Sequence, residues 1–237
     1  MGDSIKIVFC GGGALRLLGV VDSILALENL APNPQLVFMD LDLPRARTMA
    51  ALATKVPAAA RNMPDATATD ALPGALDGAD FVYCCIRVGS VTAMERDERI
   101  GARHGFHGHD DFGPSGVMLT ARTVPVVLSI ARQMEQRCPD AILLIFTNPI
   151  TNMVDAVTRY TSIRSIGICP GVYNFMWDVD ALFDTGVPVV SKFLNEGQVP
   201  PHKRLAVPHQ ERIADDFWTP RAVLQPRNVR HLIGITS

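Results

Sequence analysis

Three observations predict an α/β protein, built as a Rossmann-like doubly wound parallel sheet. Apolar, strand-like runs alternate with helix-like patterns through about residue 190. A triple glycine, Gly11-Gly12-Gly13, stands directly between the first apolar run and the first helical pattern. The second apolar run ends in an acid, Asp40. Parallel strands require this alternation, because each crossover to a neighbouring strand passes through a helix.

Taken in order, "IKIVF" (5–9) reads as a buried strand and "ALRLLGVVDSILAL" (14–27) as a largely buried helix. "QLVFMD" (35–40) is a second strand, and a helix starts near Pro44, whose fixed φ suits a first turn. "ADFVYCCI" (79–86) is another buried strand. The polar, Gly- and His-rich stretch 87–116 is too long for an ordinary connection, so it is functional or partly helical. Residues 117–137 read as a helix with Val117, Ala121, Val124, Leu128 and Ala131 on one face and Arg122 and Arg132 away from it. Pro125 should kink that helix. "AILLIF" (141–146) is a strand, 150–159 a helix, and "SIGIC" (165–169) a short strand. Val172, Phe175, Met176, Val179 and Leu182 define a further helix. Residues 191–237 hold five prolines and three of the six histidines, and no clear period persists. The predicted division is therefore 1–190 and a tail, or fragmentary second domain, over 191–237.

The chain has 237 residues, 48% of them hydrophobic, and a formal charge of −2, enough to bury one large or two small cores. Near-neutral charge gives no electrostatic footprint for nucleic acid or an anionic membrane. Cys10, Cys84, Cys85, Cys138 and Cys169 are odd in number and lack framework spacing, which points to reduced thiols in a cytoplasm. "IKIVFC" is too short for a signal peptide, and Lys6 occupies the position where myristoylation wants Ser or Thr. No run approaches the roughly 18 uninterrupted apolar residues of a membrane span.

Four motifs carry chemistry. Gly11, Gly12 and Gly13 allow a tight turn and close approach of a pyrophosphate to free N–H groups at a helix start. Asp40 stands where an acid would bind a ribose hydroxyl, which favours NAD over NADP, although the 27-residue separation from Gly13 exceeds the usual spacing of about 20. In 86–125, Arg87, Arg96, Asp97, Glu98, Asp110 and Asp111 crowd a glycine-rich segment beyond a strand end; a solvated charged helix is the plainer alternative. His104, His107 and His109 lack any ligand spacing that would make them a metal cluster. In "LLIFTNPITNMVDAV" (143–157), a strand delivers Asn148 to a sheet edge, where its amide offers both a donor and an acceptor to a sugar hydroxyl. In "SIGICPGV", Cys169 ends a strand before a helix start, a setting that suits ligation or nucleophilic use, against the commoner fate of a structural thiol.

Together these segments resemble the NAD- and metal-dependent enzymes of glycoside hydrolase family 4. The likeness rests on "KIVFCGGG", "FMDLD", "GADFVYCCIRVGS", "ERDERI", "GPSGVMLTARTVPVVLSIARQMEQRCPDAILLIFTNPITNMVDAV" and "SIGIC", and covers roughly residues 5–190. It implies a fold with a C-terminal substrate domain, here incomplete, and hydrolysis of O-glycosidic bonds. In that chemistry NAD oxidises the sugar at carbon 3, the aglycone is eliminated, water adds and the hydride returns, with manganese or another divalent ion as Lewis acid. Ordinary glycosidases use two carboxylates instead. By the resemblance, Gly11, Gly12, Gly13, Asp40 and Arg87 hold the cofactor. Arg96, Asp110 and Asn148 contact a glycoside or phosphoglycoside, Cys169 ligates the metal, and the chain forms a homo-oligomer.

The departures are specific. Ala14 stands where the glycine loop commonly has Ser, and Gly108-His109-Asp110 where the family has Gly-Gln-Glu. Pro170 follows the metal cysteine, and no Gly-x-Asn-His motif supplies the second metal ligand. The segment of the tyrosine base is missing too, so acid and base are left unassigned. The reading is of a shortened or altered member. Two alternatives stay beside it: an NAD-binding relative without turnover, and a 2-hydroxyacid-type dehydrogenase.

Overall fold

The computed structural model describes residues 4–169, within a chain that divides into two units after Ser165. The expected helix from Val172 and the tail 191–237 lie outside the described residues. The first strand, β1 (Lys6–Cys10), leads through the glycine turn to α1 (Leu17–Leu25). Then come β2 (Gln35–Met39), α2 (Leu43–Ala53), a short 3-10 turn (Pro57–Ala60), β3 (Asp65–Thr69) and α3 (Leu72–Leu76). After β4 (Phe81–Cys84) follow α4 (Val91–Arg103), α5 (Gly113–Arg137), β5 (Ile142–Ile145), α6 (Ile150–Tyr160) and β6 (Arg164–Gly167).

The six strands lie in the order β3-β2-β1-β4-β5-β6, with β1 through β5 paired in parallel. From β1 the chain moves outward to β3, then returns to β4 on the other side and moves outward again. Right-handed crossovers place the helices of the two halves on opposite faces. The contacts agree, since α1 packs on α2, whereas α5 packs on α3, α4 and α6. The interior strands are continuous apolar runs because both of their faces are covered. Phe38, Phe9, Tyr83 and Phe146 form an aromatic row across the sheet, with successive ring centroids 5.1, 5.8 and 6.0 Å apart.

Three expectations need correction. The first helix begins at Leu17, not residue 14, because Ala14 and Leu17 close turn hydrogen bonds back to Gly11 and Ala14. It is also amphipathic, burying Leu17, Val21 and Leu25 only. The strand β3 was not anticipated. Its "DATAT" sequence has little apolar character because it is the sheet edge, where Thr satisfies β-propensity without full burial. The long helix starts four residues before 117 and buries Ser115, Gly116, Leu119, Thr123, Val127, Ile130, Ala131 and Met134, while Val117 is exposed. Packing against helices on two sides places small residues at the close approaches, which a count of large apolar side chains misses. Pro125 lies inside α5, on the exposed side of the helix, where the carbonyl one turn earlier is open to water.

That helix is also long and apolar enough to cross a membrane by length and composition. Its packing on three neighbouring helices accounts for its apolar character as a core element.

Candidate functional site: a crevice at the strand ends

The two crossovers leaving β1's neighbourhood go to opposite faces, so a crevice opens beyond the carboxyl ends of β1 and β4. It offers about 940 Å³ and is walled by Gly11, Gly13 and Asp40 on one side and Cys85 through Gly89 on the other. Val126, Ser129, Ile130 and Gln133 of α5 contribute a further wall.

The glycine turn is anchored backwards onto β2. The N–H groups of Gly11 and Gly12 both donate to the Met39 carbonyl, at 3.0 and 2.8 Å. Gly11 has φ +83, and a Cβ there would lie 2.8 Å from the Cys85 carbonyl carbon. At Gly12 a Cβ would come within 2.8 Å of the Phe38–Met39 backbone. Only glycine can sit between two strands in this way. The N–H of Gly13 donates to Asp40 Oδ2 at 2.8 Å, and Asp42 N–H donates to Oδ1 at 3.0 Å. Asp40 thus holds the turn as well as bordering the crevice. Arg45, in the first turn of α2, adds a hydrogen bond from Nη2 to the Gly13 carbonyl at 3.2 Å.

A second group of side chains gathers beyond β4 and β5. Arg87 Nη2 meets Asp110 Oδ2 at 2.8 Å, and Asn148 also hydrogen-bonds the Asp110 side chain. Partial burial pushes the Asp110 carboxyl up, but the Arg87 and Asn148 hydrogen bonds and the guanidinium charge outweigh it and hold it below its ordinary value. Asp111 moves the other way: burial and the adjacent Asp110 raise it, with His109 opposing. Asn148 is half-buried and precedes a cis Asn148–Pro149 peptide.

Thr147 joins these strand ends. Its Oγ1 accepts from the Ile86 N–H at 2.9 Å and donates to the Cys84 carbonyl at 3.2 Å, and it touches the Cys84 thiol at 3.5 Å. Burial pushes that thiol up to about 11, although the Thr147 contact opposes the rise.

Of the nine residues singled out by sequence, Gly11, Gly13, Asp40 and Arg87 line the crevice. Gly12 is buried beneath the turn, and Arg87 and Asn148 meet at Asp110. Arg96 stands exposed on α4 and is not among the lining residues. Cys169 is exposed just past β6. His104 and His107 are exposed in the loop after α4, but His109, Asp110 and Asp111 bring possible ligand atoms within 4.8 Å of one another. Sequence reasoning missed Arg45 and Thr147. Thr147 could have been flagged as a polar residue ending an apolar strand; nothing in the spacing of Arg45 marks it.

Comparison with known proteins supplies the context for this arrangement. The chain is 33% identical over 172 residues to a probable 6-phospho-beta-glucosidase of Bacillus subtilis (strain 168), which spans 71% of this chain and 39% of that protein. It is 41% identical over 115 residues to a 6-phospho-beta-glucosidase of Escherichia coli (strain K12), covering 47% of this chain and 26% of the relative. It superimposes with a TM-score of 0.67 on a 6-phospho-alpha-glucosidase from gut microorganisms solved with NAD and Mn2+, at 24% identity, over 77% of this chain and 42% of that one. This chain thus spans well under half the length of these relatives. The description "Family 4 glycosyl hydrolase" matches residues 6–184, so most of the sheet and its strand-end crevice fall inside the matched region. The chain belongs to family 4 of the glycosyl hydrolases.

Proposed function

We propose that this chain acts in NAD- and divalent-metal-dependent hydrolysis of O-glycosidic bonds, on a glycoside or phosphoglycoside, through transient oxidation at carbon 3, elimination and water addition. The observation that supports it is the meeting of the anchored glycine turn and Asp40 with the Arg87–Asp110–Asn148 cluster around the strand ends of a family 4 member. The relatives named above favour the phosphorylated substrate.

The crevice fits a dinucleotide in its size, in the glycine turn on its wall and in Asp40 at its border. NAD bound there would supply the hydride acceptor for carbon 3 and return the hydride after elimination. Gly11 to Gly13 bring backbone close to the pyrophosphate, while the spare lone pairs of Asp40 accept from a ribose hydroxyl. Asn148 and Asp110 orient sugar hydroxyls. With its pKa lowered, Asp110 stays ionised near neutral pH and acts as an acceptor there, not as an acid.

The metal enters the proposal through Cys169 and the relatives, and would polarise the sugar oxygens. His109, Asp110 and Asp111 do not fit the ion as they stand: Arg87 holds Asp110, and the Asp111 N–H donates to His109 Nδ1 at 3.0 Å.

Calorimetric titration of the full chain with NAD tests the cofactor assignment. Release of nitrophenol from nitrophenyl glycosides and their 6-phosphates, with and without NAD and Mn2+, tests the activity. Deuterium from solvent should enter at carbon 2. Aglycone release that persists without NAD would sink the mechanism, and NAD uptake without turnover would leave a binding protein.

A further inference from the structure

Asp97 on α4 is the only charged side chain in the buried set among the described residues, at 3% exposure. A lone buried carboxylate is strongly unfavourable, and here its ion-pair partner is Arg122 of α5. The pair therefore ties the two helices together. Arg122 does a second thing. Its Nε is buried without an acceptor and lies against Gly89: a Cβ on Gly89 would stand 3.3 Å from Nε and 3.9 Å from Cδ of Arg122. Gly89 has φ +86, so the loop turns sharply where the guanidinium arm supports it.

That loop, Arg87 to Ser90, has two sides. Arg87, Val88 and Gly89 wall the large crevice. Arg87, Val88 and Ser90 also wall a narrow cleft of about 10 Å³, whose other wall includes Asp97, Asp110 and Arg122. The same short segment thus separates the proposed cofactor space from the ion pair, and it carries the guanidinium that holds Asp110.

We infer that Asp97 and Arg122 are positioning residues: the ion pair is a strut that holds the Arg87–Ser90 loop as the wall of the cofactor crevice. Its functional consequence rests on the cofactor assignment above; its structural content does not. Without the strut the wall relaxes toward the smaller cleft, and a preorganised surface for the dinucleotide is lost.

The test uses the full chain as wild type and as Arg122→Met, Arg122→Lys and Leu25→Ala, the last a destabilised control in the core under α1. Hydrogen exchange of the amides at 86–90 and the NAD dissociation constant are measured for each. Arg122→Met should accelerate exchange at 86–90 and weaken NAD by about tenfold. Arg122→Lys, which keeps the charge facing Asp97, should restore affinity to within about threefold. Leu25→Ala should lower the thermal midpoint and leave loop exchange and NAD affinity unchanged. Unaltered exchange at 86–90 in Arg122→Met, or equal acceleration in Leu25→Ala, overturns the strut. A wild-type chain that takes up no NAD overturns the cofactor assignment, and loop exchange then decides the strut by itself.

Discussion

Replacing Thr147 with valine removes one hydroxyl and keeps the shape of the side chain, so it isolates a hydrogen-bonding role. The Ile86 N–H, part-buried at the strand end, would lose the acceptor it meets at 2.9 Å. The Cys84 carbonyl would lose a donor at 3.2 Å but keep the Phe146 N–H at 2.9 Å, so it is not orphaned. The cost is then mainly one unsatisfied donor, about 1–3 kcal/mol, with no cavity term because the γ-methyl fills the vacated space. Taking about 2 kcal/mol and a urea slope of about 2 kcal/mol per molar, the unfolding midpoint should fall by about 1 M. Urea denaturation followed by far-ultraviolet circular dichroism measures it. Thr147→Ser keeps the hydroxyl but deletes the buried γ-methyl, about 1 kcal/mol, so it should recover about half of the midpoint loss. If Thr147→Val unfolds with the wild-type midpoint, or Thr147→Ser falls as far as valine, the hydroxyl is not what joins these strand ends.

Two glycines should respond in opposite directions to alanine. Gly11→Ala combines a left-handed φ of +83 with collision at the Cys85 carbonyl and should cost about 3 kcal/mol, read from the thermal midpoint. Gly19→Ala, exposed inside α1 with nothing within 4 Å of the new Cβ, should stabilise by about 0.5–1 kcal/mol. The Arg87–Asp110 pair predicts an acid-side stability component. Since the folded pKa of Asp110 lies below the ordinary 3.8, its contribution is present above that value and is lost as pH falls through the folded pKa. Asp110→Asn should remove that component from a plot of thermal midpoint against pH. Iodoacetamide should label exposed Cys169 well before Cys10 and Cys84, whose burial raises their thiols, and saturating NAD should slow labelling of crevice-lining Cys85; mass spectrometry of timed digests reads both.

The elements most legible in sequence were those whose burial demands apolar residues on every side. The runs at β1, β2, β4 and β5 are such strands, and the turn at Gly11 is marked because no other residue fits against Cys85. What stayed hidden was polar structure held by tertiary contact. Helix α4 buries only Asp97 and Gly101, so it has no apolar stripe to count. Its ion pair with Arg122 spans 25 residues and is invisible to local periodicity. The grouping of Arg87, Asp110 and Asn148 likewise comes from three segments that only the sheet brings together; each stood out in the sequence near a strand end, but only the fold shows that they meet. The same likeness suggested Arg96, which the fold leaves exposed on α4.

The central strand has a consequence for how the molecule comes into being. β1 leaves the ribosome before either of its two partners, β2 and β4, and the latter lies beyond a whole intervening βαβα excursion. Pairings so distant along the polypeptide form slowly, because a long loop must close before any contact rewards it. A nascent chain that has not yet exposed Cys84 already owns every glycine of the turn, but none of the carbonyl wall on which Gly11 leans. Cofactor competence should therefore arrive abruptly during synthesis, with the docking of the second half of the sheet, and not grow with length.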